Sequence, residues 1–175
     1  MNWFTPSKTD TKPSDSQMSF ILADETTFYH RFEQDLLEAT NEVIIESPFI
    51  TIAKLRSLKP IFELLINKGV KVFVITRHPE EHDALMAEQS EAGIRFFEKL
   101  GVQVLMCRDH HRKIAMVDRR IIWKGSLNIL SHRNTREFME REENTQKAKI
   151  LFNFLQMIKL FDYLMMLVTR SDHYL

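Results

Sequence analysis

Short apolar runs alternate with stretches of helical periodicity through the first 106 residues of the chain. In residues 25–40, Phe28, Phe32 and Leu36 recur at the spacing of one buried helix face, and Asp24 precedes them as an N-cap. The pattern predicts helices over 25–40, 51–68 and 79–100, the second interrupted near Pro60, and strands over 43–45, 70–76 and 102–106. Such alternation is typical of an α/β domain, so we expect a mixed, mainly parallel sheet covered by helices on both faces.

The second half of the chain has a different pattern. Two short apolar runs, 113–117 and 121–124, are separated by three polar residues and predict a hairpin. A further strand is predicted to begin at Glu137, and a final helix spans 146–168.

The final predicted helix is apolar around most of its circumference and long enough for a membrane span. Lys159 and Asp162 lie within it, and each charge costs about 2.5 to 3.5 kcal/mol at mid-bilayer. We therefore interpret this helix as packed on the core on one side and on a second subunit on the other, without stable membrane insertion.

The first 18 residues are rich in Ser, Thr, Asp, Lys and Pro and predict a flexible tail or linker, which leaves 19–175 as one domain. They contain no apolar stretch of the kind found in secretory signals. Cys107 is the single cysteine of the sequence, which excludes a disulfide framework. These features together predict a cytoplasmic protein.

Charge is balanced over the whole chain, with 24 basic and 24 acidic residues. Positive charge is nevertheless concentrated in one segment. Residues 108–136 contain eight Lys or Arg and two Asp, which gives this segment a charge of +6. Such a segment is either a solvated basic face or a surface that attracts phosphate.

The residues with the clearest chemistry lie within this basic segment. His111, Lys113, Asp118, Gly125 and the Ser-x-Asn that follows it have the spacing H-x-K-x4-D-x6-G-S-x-N. This pattern resembles the HKD signature of the phospholipase D superfamily at every fixed position. The sequence is most similar to small bacterial nucleases of that superfamily, which have a single motif.

The chemistry of phosphodiester cleavage explains the residue types. A neutral imidazole, His111, can attack phosphorus and divide the reaction into two easier displacements. Lys113 lies on the same side of an extended strand and can neutralise phosphate oxygens. Asn128 can donate to another oxygen, Ser126 can hydrogen-bond within the same loop, and Gly125 permits a tight backbone.

The resemblance implies further roles. It makes Asp118 structural, and it places a downstream glutamate on His111, for which Glu137 is the first candidate and Glu140 the second. We expect the remaining basic residues of the segment to contact nucleic acid; these are Arg112, Arg119, Arg120, Lys124, Arg133 and Arg136.

The resemblance also implies a phosphodiesterase that needs no metal and no cofactor. The nearest metal pattern, His-x-x-Glu-His over 78–82, is rejected because Pro79 places His78 at a helix start. The mechanism requires two histidines, yet the sequence has one H-x-K. We therefore expect a two-fold homodimer that brings two copies of the motif together.

We interpret the chain as a nuclease and expect its substrate to be DNA rather than RNA. Two alternatives stay open. One is a phospholipase-type hydrolase at a membrane, and the other is an accessory nucleic-acid-binding domain that works with a helicase or defence complex.

Overall fold

The computed structural model of the chain describes residues 20–131 and 135–155. Within these residues seven strands and four α-helices follow one another, and a short 3-10 helix (Pro79–Glu81) precedes the third α-helix. In chain order the elements are β1 (Phe20–Asp24), α1 (Phe28–Glu38), β2 (Glu42–Glu46), α2 (Ile52–Asn67), β3 (Lys71–Arg77), α3 (Ala84–Leu100), β4 (Gln103–Cys107), β5 (Ile114–Val117), β6 (Ile121–Gly125), β7 (Phe138–Glu143) and α4 (Thr145–Phe154).

The strands of the described chain form one sheet in the order β1-β7-β6-β5-β2-β3-β4. β2, β3 and β4 pair in parallel, whereas the other four neighbouring pairs are antiparallel. The α/β class with a mixed sheet is confirmed, but the parallel part is smaller than expected. Helical crossovers connect β2, β3 and β4, whereas a tight hairpin joins β5 to β6 and makes their pairing antiparallel.

Helices cover both faces of the sheet, as expected. α1, α2 and α3 pack on one face, where Phe32, Phe62 and Phe97 are fully buried in the larger core. α4 packs on the opposite face, where Phe152 and Leu155 join a smaller core. The strands here are buried on both faces of the sheet, which explains the unbroken apolar runs over 43–45 and 72–75.

A buried polar cluster anchors α1 to the strands that carry the motif. Asp35, on α1, accepts a hydrogen bond from the Trp123 indole nitrogen at 2.7 Å. It also forms an ion pair with Arg141, with a nitrogen–oxygen distance of 2.7 Å. Trp123 lies on β6 and Arg141 on β7. Because a buried carboxylate needs partners of this kind, the cluster fixes the position of α1 relative to both strands.

Several elements differ from the predictions. The helix predicted over 79–100 begins as α3 at Ala84, after the short 3-10 helix. β1 was not predicted, because this edge strand exposes Phe20 and Leu22 and lacks a clean alternation of apolar and polar residues. α2 continues through Pro60 instead of breaking there, since Leu58 and Phe62 are buried on either side of the exposed proline. The predicted final helix is described only as α4, to Phe154.

Several predictions fall on residues outside the described ranges. They concern the polar tail over 1–18, the apolar segment after residue 155, and Arg133. Within the described ranges, no helix combines the length and apolar character that a bilayer span requires.

Candidate active site

The pairing of β5 with β6 brings the two halves of the motif together. His111 and Lys113 immediately precede β5, and Gly125 is the last residue of β6. The Gly125 amide donates a hydrogen bond to the Lys113 carbonyl oxygen at 3.3 Å. An antiparallel hairpin therefore places Gly125, the start of the loop over 125–128, beside Lys113, although more than ten residues separate them in sequence.

The two side chains that precede β5 are in direct contact. Lys113 Nζ lies 2.5 Å from His111 Nδ1 and donates to the His111 carbonyl oxygen at 2.9 Å. His111 is exposed and Lys113 is half-buried. Burial lowers the pKa of Lys113; the negative charge of Glu137 opposes this shift and the positive charge of Arg77 adds to it. A partly desolvated ammonium beside an exposed imidazole suits an anionic phosphate.

The loop after β6 is held against β7. A Cβ at Gly125 would lie 2.1 Å from the Phe138 carbonyl oxygen, so only glycine fits. The Ser126 amide donates to that same carbonyl at 3.0 Å, and Ser126 Oγ accepts from the Phe138 amide at 3.2 Å. Ser126 thus links the loop to the backbone of β7.

Asn128 is half-buried at the end of this loop. Its Oδ1 atom is buried and has no hydrogen-bond partner among the described residues. The amide nitrogen of the same side chain is a hydrogen-bond donor and can bind a ligand oxygen.

Asp118 is at the opposite end of the hairpin. Asp118 and Arg119 have φ angles of 51° and 47°, the left-handed pair that a type I′ hairpin turn requires. The Asp118 carboxylate accepts from the amides of Thr40, Asn41 and Glu42 at 2.8 to 3.0 Å, and from the Thr40 hydroxyl at 3.0 Å. Burial raises the pKa of this carboxyl, but these hydrogen bonds outweigh burial and hold it below its usual value.

The two candidate glutamates have different surroundings. Glu140 pairs with Lys124 at 3.0 Å. Glu137 accepts from the Thr135 hydroxyl at 2.9 Å, and its charge acts on Lys113. Within the described residues, no hydrogen bond joins either glutamate to His111. The geometry favours Glu137 over Glu140 as the carboxylate of the site, and its contact with His111 stays a prediction.

Arg112 is placed differently from the sequence-based expectation. Its guanidinium makes two hydrogen bonds, at 2.5 and 3.0 Å, to Glu46, which is 1% exposed at the end of β2. Burial raises the pKa of Glu46, and the hydrogen bonds and charge of Arg112 oppose that shift. An arginine held by a buried carboxylate helps to fix the backbone next to His111, and its contact with nucleic acid stays a prediction.

His110, the neighbour of His111, points into the protein. It is 6% exposed, and its Nε2 atom is 3.9 Å from a Glu46 oxygen. Burial, followed by the positive charges of Arg112 and Arg77, lowers the pKa of His110 to about 4. Arg77 also donates to the His110 carbonyl oxygen at 3.0 Å, so the segment before β5 is fixed on both sides.

The remaining basic residues do not form one continuous free surface. Arg119 pairs with Glu42 and Arg120 with Glu143, both at the turn end of the hairpin. Lys124 is paired as described above, whereas Arg136 is exposed and has no ion pair within the described residues. The local charge of +6 is thus largely neutralised by carboxylates that lie elsewhere in the sequence.

A cleft of about 440 Å³ adjoins the motif. Asn128 and Glu137 line it together with Phe49, Arg77 and His82, three residues that the sequence analysis did not select. A signal for Phe49 and Arg77 was available, since each lies at or just after the carboxyl end of a parallel strand, where α/β sheets bind ligands.

The fold and the site together define a phospholipase D-like domain, which confirms the resemblance drawn from the sequence. A family model described as a cardiolipin synthase, PLD-like domain, matches residues 32–153, about 70% of the chain. The chain belongs to this family of domains. Comparison with curated proteins gives no significant sequence match.

Solved structures share this fold at low sequence identity. Nuc, a phospholipase D family member from Salmonella typhimurium, is 13% identical with a TM-score of 0.66, covering 80% of this chain and 93% of Nuc. NucT from Helicobacter pylori is 17% identical with a TM-score of 0.66, covering 81% of this chain and 95% of NucT. Phosphatidylserine synthase from Haemophilus influenzae is 19% identical with a TM-score of 0.63, covering 79% of this chain and 37% of the synthase.

Proposed function

We propose that the protein is a metal-independent phosphodiesterase that cleaves nucleic acid through a phosphohistidine intermediate. The observation that supports this proposal is the contact of Lys113 with His111 at one end of the β5–β6 hairpin, where Gly125, bonded to Lys113, begins the loop that leads to Asn128. The three side chains supply a nucleophile, a cation and a neutral donor, which is the set that a phosphodiester requires.

In the first step His111 attacks phosphorus with a ring nitrogen and forms an N–P bond. The bond from phosphorus to the leaving oxygen breaks, and that oxygen takes a proton from a second imidazole. Lys113 and Asn128 donate to the non-bridging oxygens as charge develops on them. A water molecule then gives its proton to the second imidazole and attacks phosphorus, which breaks the N–P bond and restores His111.

The second imidazole comes from another copy of the chain in this proposal. Burial disfavours the described histidines near the site as proton donors, because it favours their neutral form. It lowers the pKa of His110 to about 4 and also lowers the pKa of His82, whose Nε2 is buried. A two-fold axis beside the site would place the exposed His111 side chains of two subunits on opposite sides of one phosphate.

The choice of nucleic acid over lipid rests on the comparisons. Nuc and NucT, whose names mark them as nucleases, are matched over almost their whole length. The phosphatidylserine synthase is matched over 37% of its length. The description of the matching family model, a cardiolipin synthase domain, supports a phospholipid phosphodiesterase as the second candidate.

Incubation with labelled single- and double-stranded DNA and RNA in excess EDTA tests the proposal. We expect the wild-type protein to cleave DNA, and His111→Ala to be inactive, without any added metal. Anionic phospholipid vesicles in the same buffer provide the second arm. Lipid hydrolysis without nucleic-acid cleavage would replace the nuclease with the phospholipase, and activity that returns only with a divalent ion would overturn the mechanism.

The dimer has its own test. Wild-type protein is mixed with an excess of His111→Ala under verified subunit exchange, and activity is compared with an equal dilution into buffer. We expect activity well below that of the diluted control, because most wild-type chains then lack a partner histidine. Activity that follows the amount of wild-type chain, or a fully active monomer in sedimentation, would contradict the shared site.

A further inference from the structure

The cleft beside the motif has a wall that the proposed chemistry does not use. Phe49 and His82 contact each other with ring centroids 5.0 Å apart and planes tilted by 34°. The Arg77 guanidinium lies 5.6 Å from the centre of the Phe49 ring. Burial lowers the pKa of His82, and the charge of Arg77 lowers it further, which favours a neutral imidazole. These three flat groups form a surface on which a planar heterocycle can pack.

The same cleft is unsuited to a second phosphate. Glu81, Asp83 and Glu137 line it, and Arg77 is the one cationic side chain of the described lining. Arg77 is itself engaged with the His110 carbonyl oxygen and lies 3.9 Å from a Glu81 oxygen. An acidic lining repels anions but accepts hydrogen bonds from uncharged N–H groups, such as the exocyclic amines of nucleobases.

Two polar atoms of the cleft residues also lack partners. Asn128 Oδ1 and His82 Nε2 are buried and make no hydrogen bond within the described residues. Unsatisfied buried polar atoms are costly and rare in native proteins, and here two of them belong to residues of the cleft wall. Asn128 lines the cleft and also belongs to the proposed phosphate site, so it connects the cleft to the position proposed for the scissile bond.

We propose that this cleft binds one unstacked nucleobase next to the scissile phosphate and thereby selects single-stranded or locally unpaired nucleic acid. The proposal rests on the proposed nuclease function and adds its substrate conformation. A base stacked and paired in a duplex cannot enter such a cleft unless it is first extruded, which costs unstacking energy. A cleft of about 440 Å³ falls within the size range of small-ligand sites.

The experiment uses four dinucleotides, each of which contains the same single cleavable phosphodiester. They are the deoxycytidine dinucleotide, two analogues with an abasic sugar on the 5′ or the 3′ side, and an analogue that is abasic on both sides. Because one base stacked on protein groups contributes strongly to binding, we expect removal of the base on one side to lower kcat/KM about tenfold. Removal on the other side should have a much smaller effect.

Variants then assign the effect to the cleft. Phe49→Leu should reduce the difference between natural and abasic substrates to less than about threefold, whereas Phe49→Tyr should keep it. Phe154→Leu is the matched control, because Phe154 is 78% exposed on α4, across the sheet from the α1–α3 layer. The wild-type substrate series needs no variant and so does not depend on the folding of Phe49→Leu.

The outcomes separate the two proposals. Equal hydrolysis of all four compounds, abolished by His111→Ala, would overturn the base subsite and leave the phosphodiesterase intact. A base effect that survives Phe49→Leu at full size would also overturn it. No hydrolysis of single-stranded DNA or of any dinucleotide by the wild-type protein would overturn the nuclease function and the subsite with it.

Discussion

The two ends of the β5–β6 hairpin have opposite polar environments. At the turn end, Asp118 accepts four hydrogen bonds from backbone amides and a hydroxyl, and Arg119 is paired with Glu42. At the open end, an ammonium lies 2.5 Å from an exposed imidazole nitrogen, and Asn128 Oδ1 has no partner within the described residues. The turn end satisfies its polar groups with a distant segment of the chain, whereas the open end has an exposed imidazole and an acceptor without a partner.

This difference suggests that the turn end of the hairpin contributes to stability and the open end to reactivity. A group whose hydrogen bonds are complete stabilises the fold and has no capacity left for a substrate. A group with unused donors or acceptors destabilises the free protein slightly and regains that free energy when a ligand binds. Substitutions at the two ends should therefore change different quantities.

The largest effect is expected at the open end. His111→Ala should lower the turnover of single-stranded DNA by at least about 10³-fold, because the nucleophile is lost. Thermal unfolding should be nearly unchanged, since surface substitutions of this kind alter stability by about 0.5 kcal/mol or less. His30→Ala, at an exposed histidine of α1, is the matched control and should keep full activity. A large loss of stability in His111→Ala would remove the contrast between the two ends.

The turn end should respond in the opposite way. Asp118→Ala removes a carboxylate that accepts three amide hydrogen bonds, and we expect the free energy of unfolding to fall by about 3 kcal/mol in denaturant titration. Asp118→Asn keeps an acceptor and tolerates the positive φ, so its loss should be smaller. Activity per folded molecule should be retained at a temperature well below unfolding. If kcat falls as it does in His111→Ala, Asp118 takes part in the reaction.

The buried histidine beside the open end predicts a pH dependence of stability. The folded-state pKa of His110 is about 4, below its usual 6.5, so the unfolded chain takes up the proton first. The stability that this group contributes is complete above about pH 6.5 and is lost as the pH falls toward 4. Between pH 7 and pH 4.5, wild-type protein should lose about 2 kcal/mol relative to His110→Gln, which has no titrating group there. Parallel pH profiles for the two proteins would show that His110 is not buried in a neutral form.

The smallest effect distinguishes free from paired arginines. Arg136 is exposed next to Glu137 of the cleft, whereas Arg119 is paired at the far end of the hairpin. In titrations of catalytically inactive His111→Ala protein with DNA, adding Arg136→Ala should reduce the log–log salt slope by about 0.7 to 0.9. Adding Arg119→Ala should leave the slope unchanged. The reverse result would place the nucleic acid on the turn end.

Local sequence patterns were sufficient for most of the fold. The three-to-four-residue spacing in α1 and the apolar runs of β2 and β3 appear at their predicted places, because each pattern reflects one buried face. The hairpin was also predictable, since its strands are adjacent in sequence. β1 was not, because an exposed edge strand owes its conformation to backbone pairing with β7 and leaves little periodicity.

The candidate site divides in the same way. The motif spacing and its resemblance to the phospholipase D superfamily signature selected His111, Lys113 and Asn128, which lie at or just beyond the ends of two strands adjacent in sequence. The spacing could not show that Arg112 pairs with Glu46, since these residues are 66 positions apart and meet only when β2 pairs with β5.

The sequence by itself determined the class of domain, the residue types of the site and their order along the hairpin. Tertiary structure decided which of the basic residues remain free and which groups form the cleft. The physical reason is that a motif within one hairpin depends on local geometry, whereas ion pairs such as Arg119–Glu42 and the contact of Phe49 with His82 depend on how distant segments pack around the sheet. Charge counted along the chain therefore overstated the free basic surface, and the aromatic wall became visible only in three dimensions.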